Sequence, residues 1–477
     1  MHKTTIAMLM LVAGCGDDGA VAPPDGAPDL AAVDGAAPRD QAVRTDLMGT
    51  EAGVRPDAAM ADATLPDAMA ADALLVEGGP GPDLAPPPSC SNGVKDNGET
   101  DVDCGGGICP ACADGLACVA PADCAGGACR ANRCAALLGA PTAFTTGAGP
   151  RSVALGDLDG DGKIDLAVAV LDANEVEVLR GVGDGTFGAR AGFATDVGPF
   201  ALTLADFDGD KKLDAATANS ASNDVSVLRG NGDGTLGAAA NFPAGLGPFA
   251  ALAGDLDGDG HLDLVVASTI TNDASVLLGN GDGTFAKPVS HGAGTSPRAL
   301  ALADLDGDGK LDVVVANYPS DSVGVLLGDG KGGLQAVKSY PAHKGPYSVA
   351  AADFNGDGKL DLAVANFDSN DVSILIGHGD GSFAAPTNDP AGTTPFSLVT
   401  ADLDGDDKLD LAVANNGSDD VTVHLGRGDG TFRPALAYAC GPQPRQLAVG
   451  DLNGDHKPDV VVANFNANQV NVLLNLR

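Results

Sequence analysis

Aspartates set two residues apart are the side chains of this sequence most able to do chemistry. In the loop from Asp157 to Asp165, carboxylates stand at loop positions 1, 3, 5 and 9, and Gly162 stands at position 6. Alternate side chains of such a loop point inwards, the glycine permits a sharp turn, and the position-7 carbonyl adds an oxygen. Hard oxygen ligands suit a hard cation, so the loop predicts a calcium site. It is not an EF-hand, because the last ligand lies at position 9 and a strand follows.

The loop occurs seven times at a period of 49 residues. Position 6 is Lys211, Asp407 and His456 in three copies, and a turn that needs a left-handed backbone accepts Asp more readily than Lys. We therefore expect the Lys211 site to be among the weakest, and Asn355 and Asn453 at position 3 to lower affinity through lost charge. The predicted calcium ligands, at positions 1, 3, 5, 7 and 9 of each loop, are Asp157, Asp159, Asp161, Lys163, Asp165, Asp206, Asp208, Asp210, Lys212, Asp214, Asp255, Asp257, Asp259, His261, Asp263, Asp304, Asp306, Asp308, Lys310, Asp312, Asp353, Asn355, Asp357, Lys359, Asp361, Asp402, Asp404, Asp406, Lys408, Asp410, Asp451, Asn453, Asp455, Lys457 and Asp459.

The elements that must position these loops are short strands. In the first repeat, residues 152–156 read as a strand before the loop, residues 166–170 as a second, near-continuously apolar strand, and two further strands follow after turns. Four antiparallel strands form a propeller blade, and a unit of this size buries its faces only when copies stack. The sequence thus predicts an all-β fold, a seven-bladed β-propeller of 49-residue repeats over residues 141–477.

The ends of the repeat array predict a closed ring. The seventh repeat stops at Arg477 after three strands, and Phe144 occupies the column of Phe193, Phe242, Tyr340 and Tyr438. Residues 141–147 should therefore supply the missing outer strand of the last blade and remove the exposed sheet edges.

The loop pattern D-x-[DN]-x-D-x-x-x-D followed by a strand, in seven blades, resembles the FG-GAP or VCBS repeat of integrin α-subunit propellers. The resemblance covers about 337 residues, counted from residue 141 to 477. It implies calcium as the bound ion. Only the residues at positions 1, 3, 5 and 9 transfer position by position, which are Asp157, Asp159, Asp161 and Asp165 with their counterparts 49 residues apart in each later blade. Seven calcium ions would change the formal charge of -38 to -24, so we expect the ion to stabilise the folded ring.

The first fifteen residues predict export. A weakly basic start precedes an apolar stretch from Ile6 to Ala13, and small residues stand directly before Cys15. This pattern resembles the lipobox of bacterial lipoproteins, so residues 1–15 are interpreted as a lipoprotein signal peptide with Cys15 as the lipid attachment site. The lipid anchor would be the protein's only membrane contact, at the cell envelope and most simply at the outer membrane or cell surface. An ordinary signal peptide is the alternative.

Two segments separate the signal from the propeller. Residues 16–89 are mainly Ala, Asp, Pro and Gly and predict a disordered linker that extends the propeller away from the membrane, with an interaction tail as the alternative. Residues 90–134 form a Cys-rich module, which in an exported chain predicts disulfides whose pairing the spacing does not fix. Zinc binding and a redox role for the C-x-x-C of Cys109 and Cys112 are the alternatives. The cysteines of this module are Cys90, Cys104, Cys109, Cys112, Cys118, Cys124, Cys129 and Cys134.

A second column of residues predicts a ligand site at the propeller face opposite the loops. It follows the repeating proline at the start of each first strand, where arginines and aromatic rings could hold an anionic or sugar-like ligand. The alternative is that these side chains pack the inner ends of the blades. The column is Arg151, Phe200, Phe249, Arg298, Tyr347, Phe396 and Arg445.

Composition and missing motifs narrow the function. The chain has 477 residues with 27 Lys plus Arg against 65 Asp plus Glu, which disfavours nucleic acid as a partner. No base and nucleophile pair, G-x-S-x-G elbow or H-E-x-x-H motif is present. The sequence therefore favours a monomeric, calcium-binding envelope lipoprotein that binds a surface protein or polysaccharide over an enzyme. An exported polysaccharide lyase or hydrolase and a structural surface spacer are the alternatives.

Overall fold

A computed structural model describes residues 133–477 of the chain, together with residues 13–14, 118, 124 and 129–130. The predicted signal peptide apart from Ala13 and Gly14, the linker at 16–89, Cys15 and most of the Cys-rich module lie outside the described residues. Within the described part, no helix is long and apolar enough to cross a membrane. Its helical elements are two short 3-10 turns, Tyr318–Ser320 and Phe465–Ala467.

The propeller consists of seven antiparallel sheets, one for each repeat, and this confirms the predicted fold. We number them blade 1 to blade 7 along the chain and number the strands of each blade from the inner edge outwards. The first strands are Pro150–Gly156, Pro199–Ala205, Pro248–Gly254, Pro297–Ala303, Pro346–Ala352, Pro395–Ala401 and Pro444–Gly450. The second strands are Asp165–Val170, Asp214–Asn219, Asp263–Ser268, Asp312–Asn317, Asp361–Asn366, Asp410–Asn415 and Asp459–Asn464. The third strands are Glu175–Gly181, Asp224–Leu228, Asp273–Leu277, Ser322–Leu326, Asp371–Leu375, Asp420–His424 and Gln469–Leu473. The fourth strands are Phe187–Ala194, Ala240–Pro243, Val289–Gly292, Lys338–Pro341, Thr387–Pro390, Leu436–Ala439 and, in blade 7, Thr142–Thr145.

The hydrophobic core lies between neighbouring blades. Every residue of each second strand is buried, which explains why these strands have almost no polar alternation. Fourth strands are mostly exposed and form the outer edge. A two-residue strand, Ala13–Gly14, pairs with the first strand of blade 4 through Leu300 and Ala299.

The N-terminal part of the propeller closes the ring, as the sequence predicted. Thr142–Thr145 pairs with the third strand of blade 7, with Phe144 opposite Val470. Just before it, Leu138 bridges to Asn475, and the Leu476 amide donates to the Leu137 carbonyl at 2.8 Å. The sheet of the last blade is therefore built from both ends of the repeat array, which leaves no blade incomplete.

The cysteines fall into two environments. Cys124 and Cys134 form a disulfide, and Cys118 is disulfide-bonded as well. Cys440 is a free thiol in the described part and is fully buried beside the outer edge of blade 6. Burial raises the pKa of its thiol, which agrees with a packing role.

Candidate functional site

The seven aspartate loops connect the first and second strands and lie on the same face as the turns between the third and fourth strands. We call this end of the propeller the loop face. Position 6 has a left-handed backbone in every loop, with φ of 81° at Gly162, 67° at Lys211 and 63° at both Asp407 and His456. The expected left-handed turn is therefore confirmed. The three side chains at this position are held where glycine is favoured.

The position-1 carboxylate shapes each loop from inside. In blade 1, Asp157 Oδ1 accepts a hydrogen bond from the Gly160 amide at 2.7 Å, and its Oδ2 accepts one from the Gly162 amide at 2.9 Å. The other six loops repeat both contacts. These bonds curl the backbone around one carboxylate and turn the neighbouring side chains towards it.

The position-9 carboxylate is a buried clip, a role that the sequence analysis did not foresee. Asp165 Oδ2 accepts from the Leu158 amide and Oδ1 from the Gly181 amide, both at 2.8 Å, and all seven blades repeat the pair of bonds. The clip joins the start of the loop to the end of the third strand. Burial raises the pKa of these carboxyls, to about 6 at Asp312 and about 7 at Asp410.

The donor set fits a hard divalent cation. Carboxylate oxygens at positions 1, 3 and 5 lie within 4.8 Å of one another in blades 2, 3 and 4, and those at positions 1, 3 and 9 do so in blade 1. In blade 6, Asp404 Oδ1 at position 3 is buried without a hydrogen-bond partner. A cation bound there would satisfy that oxygen, and clustered carboxylates are the ligands that calcium prefers.

Lysines at position 7 already neutralise part of this charge. Lys163 Nζ lies 2.8 Å from Asp161 Oδ2, and this hydrogen bond holds the pKa of the Asp161 carboxyl below its usual value. Blades 2, 4, 6 and 7 have the same pair at 2.5 to 3.0 Å. The lysine side chain contacts the position-5 carboxylate, while its backbone carbonyl is the group that the sequence predicted as a ligand.

Each loop is also joined to the next blade. The Leu158 carbonyl at position 2 accepts from the Gly234 amide of blade 2 at 3.0 Å, and the same bond recurs between the following blades. Blade 7 has no turn after its third strand, and there the Asn475 side-chain Nδ2 donates to the Leu403 carbonyl at 2.7 Å. One loop residue thus connects the buried clip of its own blade with the neighbouring blade.

The predicted ligand column lies at the opposite end of the first strands, which we call the arginine face. Arg151, Arg298 and Arg445 are 1%, 8% and 3% exposed, and of the aromatic members Phe200 is half-buried and the other three are buried. This burial agrees with packing at the inner ends of the blades. The structure brings the column together as one cluster rather than as seven separate side chains.

Each arginine of this cluster stacks on aromatic rings. Arg151 lies 4.0 Å from the Phe200 ring centroid and 4.9 Å from that of Phe465. Arg298 stacks on Phe249 at 4.6 Å, and further rings come from the turns between the second and third strands. Those turn aromatics, Tyr318, Phe367 and Phe465, were missed because the repeat column that they share is aromatic in only three of the seven blades. Stacking over a ring face fixes the plane of a guanidinium.

The repeat is also recognised by comparison with a known family. The FG-GAP-like repeat matches six times in tandem, at residues 157–217, 206–266, 255–315, 304–364, 353–413 and 402–462. These overlapping matches cover residues 157 to 462 and include the seven loops. No curated protein sequence matches the chain.

Solved structures share the fold at low sequence identity. BBS1N in complex with ARL6DN has a TM-score of 0.53 and 13% identity, over 72% of this chain and 98% of that one. A streptogramin B lyase has a TM-score of 0.50 and 15% identity, and the match covers 70% of this chain and 97% of the lyase. The virginiamycin B lyase of Staphylococcus aureus has a TM-score of 0.50 and 12% identity, and the match covers 71% of this chain and 99% of that lyase. At these identities the likeness shows the propeller scaffold alone.

Proposed function

Because the chain belongs to the FG-GAP-like repeat family, we propose that it is a calcium-binding propeller that binds a protein or polysaccharide at the cell envelope. One observation carries the calcium part of this proposal. In blades 2, 3 and 4, carboxylates two residues apart converge within 4.8 Å around a backbone that the position-1 carboxylate has already curled.

The carboxylates at positions 1, 3 and 5 would hold the ion, with the position-7 carbonyl and the position-9 carboxylate beside them. Each position-9 oxygen accepts one amide and keeps a second lone pair. Bound calcium supplies positive charge where these carboxylates repel one another, so we expect it to stabilise the ring by mass action.

Thermal unfolding of the full chain in calcium, in magnesium and in chelator tests this role. We expect calcium to raise the melting temperature, and Asp306→Ala in a loop to reduce the rise. Asp184→Ala is the matched control, because Asp184 lies on the same face but in a turn between third and fourth strands, where it accepts from Thr186. A melting temperature that calcium leaves unchanged would refute the structural role.

We place the ligand at the arginine face. The described chain enters the propeller beside Leu474–Leu476, on the loop face, which is the end opposite to the arginine cluster. The three guanidiniums stacked on aromatic rings at that face have the chemistry that suits an anionic or hydroxyl-rich ligand.

Capture by the immobilised full chain tests the binding proposal. Envelope extract and a panel of polysaccharides are offered in calcium and then in chelator, and eluates are identified and assayed for cleavage. We expect an intact partner whose retention falls with Arg298→Lys, which keeps the charge but removes the planar fork. Cleaved products would replace the proposal with an enzymatic one, and retention of nothing would leave a surface spacer.

The envelope location rests on the segment before Cys15. Acylation of Cys15 would hold the chain at a membrane surface, and cleavage before it would remove the Ala13–Gly14 strand from blade 4. Labelling with a fatty-acid analogue in a bacterial host tests this, with Cys15→Ser expected to abolish the label. The Cys440→Ser variant is the control, because Cys440 is buried in the propeller.

A further inference from the structure

The seven loops differ in the positive charge that stands beside them. The residue that follows the apolar part of the third strand is an arginine in blades 1 and 2, Arg180 and Arg229. In the remaining blades the same column is Leu278, Leu327, Ile376, Leu425 and Leu474. Two of the seven loops therefore have an arginine in this column, where the other five have an aliphatic residue.

The arginine stems perform the packing that the aliphatic residues perform elsewhere. A Cβ at Gly234 of blade 2 would lie 2.8 Å from Arg180 Cδ, and one at Gly332 of blade 4 would lie 2.6 Å from Leu278 Cδ2. Both side chains thus cover the glycine of the next blade's turn. Because a leucine fills this space equally well, the packing does not require an arginine.

The guanidinium groups reach the predicted calcium ligands. Arg180 Nη1 lies 3.8 Å from Asp159 Oδ2, and Arg229 Nε lies 3.6 Å from Asp208 Oδ2. Both aspartates occupy position 3 of their own loop. The side chains of these aspartates are only 14% and 15% exposed, so the positive charge acts on carboxylates that are largely withdrawn from water.

Blade 2 is one extreme of this series and blade 3 is the other. The loop of blade 3 has aspartates at positions 1, 3, 5 and 9, glycine at position 6, His261 at position 7 and Leu278 in the arginine column. The loop of blade 2 has the same four aspartates but adds Lys211, Lys212 and Arg229. With histidine neutral, the four carboxylates give the blade 3 loop a local formal charge of -4. In blade 2 the three cations reduce the charge of the same four carboxylates to -1. Blade 6 has the same sum as blade 3 because Asp407 offsets Lys408, but Arg433 and Arg477 act on its Asp404.

We propose that Arg180 and Arg229 are resident counter-cations, which balance the loops of blades 1 and 2 without metal and grade calcium affinity around the ring. This inference rests on the proposed calcium binding and adds the order in which the loops bind the ion. The loop of blade 3 is the tightest site and that of blade 2 the weakest, because ligand charge sets the affinity of such loops.

Hydrogen exchange measured by mass spectrometry, with the full chain titrated with calcium, follows each loop separately. We expect peptides that span 255–263 to gain protection at the lowest calcium concentration and those that span 206–214 at the highest. Arg229→Leu should lower the midpoint of its own loop about fivefold, as expected for removing one neighbouring charge, and Arg180→Leu should do the same in blade 1. Leucine already occupies the equivalent position in blades 3, 4, 6 and 7, so both variants should keep the packing of this position.

Leu278→Arg is the reciprocal variant, and it should raise the midpoint of the blade 3 loop while leaving the blade 5 loop unchanged. Unshifted midpoints in both arginine-to-leucine variants would overturn the inference. Protection of all seven loops at one calcium concentration would also overturn it, while leaving the proposed calcium binding intact. Protection of no loop at any concentration would overturn both.

Discussion

The two ends of the propeller repeat themselves to different degrees. On the loop face, each blade has the same curled loop and the same buried clip, with changes at only a few positions. On the arginine face, the equivalent column runs through arginine, phenylalanine and tyrosine, and its members contact residues from neighbouring blades. The loop face is thus seven local structures, whereas the arginine face is one composite surface.

This difference indicates where each end's stability resides. A loop is held by bonds within its own blade and one bond to the next, so damage to it should remain confined. A stacked arginine shares its rings with other blades, so its loss should affect the cluster as a whole.

Removing a clip should have the largest effect. Asp312→Ala leaves the buried amides of Leu305 and Gly328 without their acceptor, and we expect a loss of about 4 kcal/mol in the free energy of unfolding. Asp306→Ala in the same loop removes a half-buried carboxylate and should cost far less in chelator. Chemical unfolding of both variants in chelator separates the clip from any metal effect. Equal losses would contradict the distinction between positions 3 and 9.

Blade 6 departs from its repeat just beneath the loop face. His424 stands where the other blades have leucine, it is 1% exposed, and burial lowers the pKa of its imidazole to about 4. The unfolded chain therefore binds a proton that the folded chain does not between pH 6.5 and 4. We expect stability to fall by roughly 3 kcal/mol over this window as the pH decreases, and His424→Leu to remove this part of the fall. Unfolding measured at pH 7.5 and 4.5 checks it, and an unchanged pH dependence in the variant would count against it.

Truncating one stacked arginine should disturb the arginine face beyond its own blade. Arg298→Ala removes contacts with Phe249 and Tyr347, and we expect a loss of about 2 kcal/mol. Hydrogen exchange should increase in the first strands of blades 3 and 5 as well as blade 4. Protection lost in blade 4 alone would show that this end is as local as the loop face.

Relieving the backbone at one loop should have the smallest effect. Lys211 has φ of 67°, so Lys211→Gly should stabilise the chain by about 1 kcal/mol in chelator. The same exchange at Lys212 is the control and should not stabilise, because Lys212 is not among the residues with positive φ. Thermal unfolding distinguishes the two, and equal shifts would contradict the assignment of strain to position 6.

Much of the fold followed from the sequence because the repeat displays it seven times. The 49-residue period, the apolar second strands and the surplus strand at residues 141–147 together required a closed ring, and the structure confirms each of them. The buried clip was not foreseen, because Asp165 looks like any other loop aspartate until Gly181 is placed beside it. The turn aromatics Tyr318 and Phe465 were missed for a similar reason, since neither has an aromatic counterpart in every blade.

Features that depend on neighbours along the chain could be predicted from residue types and their spacing. The left-handed turns at position 6, the carboxylate spacing of the loops and the hairpins within one blade are local, and local geometry follows from residue type and spacing. The partners that each side chain contacts across the ring became apparent from the folded propeller. The Asn475 amide that replaces a missing turn, the arginines beside two of the loops and the stacked cluster of the arginine face join residues from different strands and blades. Such contacts depend on how the closed ring packs its blades, and no local pattern specifies them.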